Sequence, residues 1–179
     1  MDAESLPEKA GVPFPFYVRK LDKKSVWGHS SDEVESRKFS AAQAVFNPKK
    51  LRFSLYLVRS WNDLVRVTVA LNAGRNRLND QVDFIAFGAN DISTASINIL
   101  PEIPGETDCA AANKLHVDIE ASEYSKFQAI CSSTIDKNRE AFRVTKKAAK
   151  KMVIALKDFG CLAFPENNQG SCECQVEDD

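Results

Sequence analysis

One short stretch constrains this chain more than any other. Residues 82–87, Val82-Asp83-Phe84-Ile85-Ala86-Phe87, are apolar on both faces except at Asp83. A strand that is greasy on both sides reads as a central strand of a sheet. The other strand signals are one-sided. In residues 51–58, Leu51, Phe53, Leu55 and Leu57 alternate with Arg52, Ser54, Tyr56 and Val58, and only the Leu/Phe face is uniformly apolar. That is the pattern of a half-buried strand. Residues 115–120 alternate as cleanly, with Leu115, Val117 and Ile119 on one side and His116, Asp118 and Glu120 on the other. Shorter candidates are Phe16-Tyr17-Val18, entered through Pro13 and Pro15, and residues 96–100, stopped by Pro101.

Helical spacing fills the intervals. Ser30 with Glu33 makes a capping box ahead of Val34, Ala41, Ala42 and Val45, and Asn47-Pro48 ends that run. Ser60 with Asp63 caps a second helix, whose face carries Trp61, Leu64, Val65, Thr68 and Leu71 and which stops at Asn72-Ala73-Gly74. Val65, Val67, Val69 and Leu71 also alternate, so a strand competes with helix there; the cap and the stop favour helix. A third helix over residues 122–135 buries Tyr124, Phe127, Cys131 and Ile135. A fourth over residues 140–159 buries Val144, Ala148, Met152 and Leu156. About five strands and several helices, mixed in order, predict an α/β or α+β fold: one layered domain with a mixed sheet. Its expected limits are residues 12–165, between a flexible lead-in at residues 1–11 and a disordered acidic tail at residues 166–179.

Composition narrows the class. With 44% hydrophobic and 27% charged residues, the chain has the balance of a soluble globular protein. Its longest uninterrupted apolar run is residues 152–156, far short of the roughly 20 residues of a membrane span. The start, Met1-Asp2-Ala3-Glu4-Ser5, is acidic and polar, unlike a secretory signal. Five cysteines at irregular spacing read as thiols, which places the chain in a reducing cytoplasm. Glu166, Glu173, Glu177, Asp178 and Asp179 stand in a segment without Lys or Arg, and the remaining residues carry a formal charge of +4.

No phosphate loop, G-x-G-x-x-G, G-x-S-x-G, H-E-x-x-H or C-x-x-C occurs, so no cofactor is indicated. Two constellations remain. His116, Asp118 and Glu120 share one face of a strand, where imidazole and carboxylates can bind a divalent cation; the plainer reading is the solvent face of an edge strand. Arg143, Lys146, Lys147, Lys150 and Lys151 share one flank of a helix, where cations can neutralise a polyanion; the plainer reading is a solvated surface. Among the cysteines, Cys131 reads as inert core, Cys109 stands beside acids that disfavour the thiolate, and Cys172-x-Cys174 supplies only two ligands. Arg75 and Arg77 read as cations closing a helix C-terminus. The leading functional expectation is a non-enzymatic binding or regulatory module acting through a protein partner. The alternatives are a nucleic-acid or polyanion binder using the basic flank, and a metal-assisted enzyme using the His116 strand.

Overall fold

Seven helices and six strands follow one another along residues 6–21, 27, 34–73, 80–100, 105, 107 and 109–158, which the computed structural model describes. In chain order they are α1 (Leu6–Ala10), β1 (Phe16–Leu21), α2 (Val34–Val45), β2 (Arg52–Val58), α3 (Trp61–Ala73), β3 (Val82–Gly88) and α4 (Ala89–Thr94). Then come β4 (Asn98–Leu100), α5 (Ala110–Asn113), β5 (His116–Glu120), α6 (Tyr124–Asp136), β6 (Phe142–Val144) and α7 (Lys146–Asp158). The expectations for residues 1–5, the Ser30 cap, the stop at Gly74, Arg75, Arg77, Cys172, Cys174 and the acidic tail lie outside the described residues.

All six strands form one sheet in the order β4-β5-β2-β1-β3-β6. Every pairing is antiparallel. The fold is therefore mixed α+β, with one strand more than expected and no parallel pair, which corrects the mixed sheet. Side-chain alternation sends the strands' residues into two cores. Phe16, Val18, Tyr56, Val58, Phe84, Ala86, Phe142 and Val144 face α3 and α7. Leu21, Phe53, Leu55, Ile85, Phe87 and Ile119 face α2 and α6. Antiparallel sheets commonly leave one face to water. Here helices cover both, and that is why all seven residues of β3 are buried.

The second core is centred on phenylalanines. Phe46 lies 4.9 Å from Phe53, 5.9 Å from Phe87 and 4.7 Å from Phe127, measured between ring centroids. Each such side chain contributes about 1.5–3 kcal/mol by leaving water. Arg19 enters this core from β1, with its guanidinium 5.4 Å from the Phe46 ring and 5.0 Å from the Phe53 ring. Its Nε donates to the Val45 carbonyl at 2.6 Å and its Nη1 to the Ser54 carbonyl at 2.8 Å. It thus satisfies a carbonyl at the end of α2 that the helix leaves without a partner.

Ser60 caps α3 as the sequence predicts: its Oγ accepts the Asp63 N–H at 3.3 Å, and Asp63 Oδ2 accepts the Arg59 N–H at 2.9 Å. The competing strand reading of Val65 to Leu71 is thereby set aside. Inside the expected lead-in, Leu6–Ala10 is helical and Ala10 is buried. Gly11 ends that helix at φ +65°, where a Cβ would lie 3.0 Å from Arg139 Cγ, so glycine alone fits easily.

Candidate interaction surface

The fourth predicted helix is two elements. Phe142–Val144 pairs with β3 as a short edge strand, with Arg143 opposite Asp83, and helix begins only at Lys146. Thr145 makes the boundary: its Oγ1 accepts the Ala148 N–H at 3.3 Å and its carbonyl accepts the Ala149 N–H at 2.8 Å, the geometry of an N-cap. Arg143 is accordingly not on the helical flank where the sequence reading put it. Its Nε and Nη2 grip the two oxygens of Asp83 at 2.7 and 2.9 Å, a bidentate pair that uses much of the guanidinium.

The four lysines stay together. Ala149, Met152, Val153 and Leu156 are buried in the core shared with α3, and the helical period then turns Lys146, Lys147, Lys150 and Lys151 outward. All four are exposed. Lys146 lies 3.6 Å from Asp80, whereas Lys147, Lys150 and Lys151 make no ion pair among the described residues. Ile154 lies one turn beyond Lys150 and Lys151 and two beyond Lys147. It is 52% exposed, the most exposed large hydrophobic side chain described.

A cavity of about 570 Å³ opens beside β6, lined by Lys9, Gly11, Asn138, Glu140, Arg143 and Thr145 among others. Its charged side chains carry both signs, and two of its cations, Arg139 and Arg143, are already held by Asp91 and Asp83.

On β5, His116, Asp118 and Glu120 do share the face that alternation assigns them. Most of that face is not open to water: β5 lies between β4 and β2, and His116 and Asp118 are buried. Cross-strand register sets Ser54 opposite Asp118 and Tyr56 opposite His116. Asp118 Oδ1 accepts Ser54 Oγ at 3.0 Å, while Arg52 Nε and Nη2 close on Oδ2 at 2.9 and 2.7 Å. His116 Nε2 stands 3.6 Å from Asp118 Oδ1, and its ring meets Tyr56 edge-on at 5.4 Å. Burial pushes the Tyr56 phenol up. Gly105 passes over His116 so closely that a Cβ there would lie 3.1 Å from His116 Cβ. Glu120 is exposed at the far end. Ser54 donates to Asp118 and not to His116, so the three do not form the relay of a serine nucleophile. Among the described residues no group of three His, Cys, Asp or Glu side chains can hold a metal.

Sequence spacing gave no sign of one network. Asp91, in the first turn of α4, accepts the Gly88 N–H at 2.7 Å and Lys137 Nζ at 2.6 Å, and pairs with Arg139. Burial by itself would raise the Asp91 carboxyl. Lys137, the Gly88 N–H and Arg139 outweigh it and hold the group below the ordinary carboxylate value. The Arg139 carbonyl in turn accepts the indole N–H of buried Trp27 at 3.0 Å. Cys131 is wholly buried, as its helix face predicts, and burial pushes its thiol far up. Cys109 is buried too, with Sγ accepting the Ala112 N–H at 3.4 Å.

No described helix is long and apolar enough to cross a membrane. No protein-family model, curated protein or solved structure matches the chain.

Proposed function

We propose that this chain is a binding module whose helix α7 presents a basic face to an acidic segment of a partner protein. The observation that carries the reading is the company Ile154 keeps: an exposed aliphatic side chain bordered by Lys147, Lys150 and Lys151, which make no ion pair among the described residues. Several other cations are held by carboxylates, as in Arg52–Asp118, Arg66–Asp63, Arg139–Asp91, Arg143–Asp83 and Lys38–Asp136. An apolar centre with a charged rim is the anatomy of a protein contact.

A nucleic acid is the second reading, supported by the same cations. The face offers no arginine fork and no aromatic ring for bases, and a phosphate backbone makes no use of Ile154. A lipid surface would call for bulkier apolar residues on the helix.

The test uses fluorescent decaglutamate with one central leucine, followed by anisotropy at low salt. Exchanging Lys147→Glu together with Lys151→Glu should weaken binding at least tenfold, since each reversal turns an attraction into a repulsion. Ile154→Ala should weaken it about three- to tenfold through lost apolar burial. A duplex oligonucleotide that binds more tightly than the peptide, and is indifferent to Ile154→Ala, would overturn the protein reading in favour of the polyanion one.

A further inference from the structure

We infer that residues 166–179 of the same chain act as an internal competitor for the α7 face, so that the partner binds only by displacing them; this rests on the reading of α7 given above. The first support is charge. Glu166, Glu173, Glu177, Asp178 and Asp179 stand in a segment with no Lys or Arg, and Lys147, Lys150 and Lys151 on α7 make no ion pair among the described residues. The second is reach. Helix α7 ends at Asp158. At 1.5 Å per residue, Lys151 lies about 10 Å and Lys147 about 16 Å back along the axis. Residues 159–165 can span up to about 23–25 Å, so Glu166 can arrive beside any of the three lysines, and the acids after it can cover the remainder.

Proximity then does what affinity need not. Exposed ion pairs are worth about 0.2–1 kcal/mol each, so the segment would bind α7 weakly as a separate peptide. Tethered, it is held at an effective concentration in the millimolar range. A competitor of concentration C and dissociation constant K weakens the partner's apparent affinity by a factor 1 + C/K. Three such pairs at their upper limit sum to about 3 kcal/mol, a K of about 6 mM, so with C a few millimolar the factor is about one and a half to two at low salt. It should fall towards one as the Debye length shortens from about 30 Å at 0.01 M to about 3 Å at 1 M.

The experiment keeps the chain at full length and removes only the charges, with Glu166→Gln, Glu173→Gln, Glu177→Gln, Asp178→Asn and Asp179→Asn combined. Two measurements are made on each form at about 0.02 M salt, where screening is weak. In amide spectra, the neutralised chain should show shifted resonances along α7 and unchanged ones in β3. In anisotropy, it should bind the leucine-containing decaglutamate about one and a half to two times more tightly than the native chain, with the gap closing as salt rises. Unmoved α7 resonances, or equal affinities of the two forms, overturn the competition while leaving the partner reading in place. Binding to neither form overturns the partner reading, and the α7 resonances then decide alone whether the internal contact exists.

Discussion

Replacing Asp91 by alanine should be among the most damaging single changes in the fold. Its side chain is 2% exposed and serves three donors at once: the Gly88 N–H, Lys137 and Arg139. Lys137 is 49% exposed and can return to water cheaply, but Arg139 is only 16% exposed and cannot. Losing the acceptor of a buried N–H costs about 1–3 kcal/mol, and stripping the partner from a buried ion about 3–5 kcal/mol. These overlap, and about 3–4 kcal/mol is the expected sum. At about 2–4 °C per kcal/mol for a chain of this size, the midpoint of thermal unfolding should fall by about 6–16 °C. Circular dichroism melts at neutral pH measure it. Asp91→Asn keeps an oxygen for Gly88 and should cost less. The sign of the pH dependence follows from a folded-state value held below that of the unfolded chain. Stabilisation is complete above the unfolded value of about 3.9 and disappears as the pH falls through the folded one. The difference between native and Asp91→Ala proteins should therefore be constant above about pH 5 and close in stronger acid. A midpoint within 2 °C of the native one at neutral pH, or a difference that persists in acid, would refute the argument (the 2 °C being about one-half to 1 kcal/mol).

Three further outcomes are expected. Thr68 is wholly buried and its Oγ1 has no hydrogen-bond partner among the described residues, so Thr68→Val should stabilise the fold by about 1 kcal/mol, raising the melting midpoint by about 2–4 °C; a lower midpoint would mean that the hydroxyl is needed. Cys131, buried and with its thiol pushed up, should resist an aromatic disulfide reagent until the chain unfolds, as followed by peptide mass spectrometry; rapid native labelling would count against the packing described. Zinc, manganese and magnesium should each leave the melting midpoint unchanged, because Arg52 and Ser54 occupy the Asp118 carboxylate; a rise abolished by His116→Ala would restore the metal reading.

The sequence is most readable where one periodicity has one cause. Arg52 to Val58, Val82 to Phe87 and His116 to Glu120 all lie in strands, with the expected first residues Leu51 and Leu115 just outside them, because alternation or two-sided greasiness reports burial directly. Periodicity misleads at residues 140–145. Val144, Ala148, Met152 and Leu156 continue at helical spacing straight through Thr145, and a strand of three residues is too short to declare its own period. That error carried Arg143 onto the wrong element. Helices α4 and α5 are short and went unread for the same reason. At His116 and Asp118 the pattern was right and its meaning different: alternation marks a polar face, but water and the side chains of Arg52 and Ser54 satisfy such a face equally well. Asp91 left no trace, since its partners stand 46 and 48 residues away. For the surface of α7, the lysine spacing was legible. The role of Ile154 was not, because only the packing of α7 against α3 decides which apolar residues are left outside.

The strand order has a consequence for how such a chain can be made. Strand β1, first to leave a ribosome, lies inside the finished sheet, with β2 on one side and β3 on the other. Strand β5 then adds outside β2, β4 outside β5, and β6 outside β3. Only β4 has to wait for a later strand. At no stage must a completed ladder part to admit a newcomer, so the sheet can widen outward from its oldest member in step with synthesis, at about 5–20 residues per second. Each arriving strand finds an open edge already templated, and the last two to be added are the short ones that close the sheet on either side.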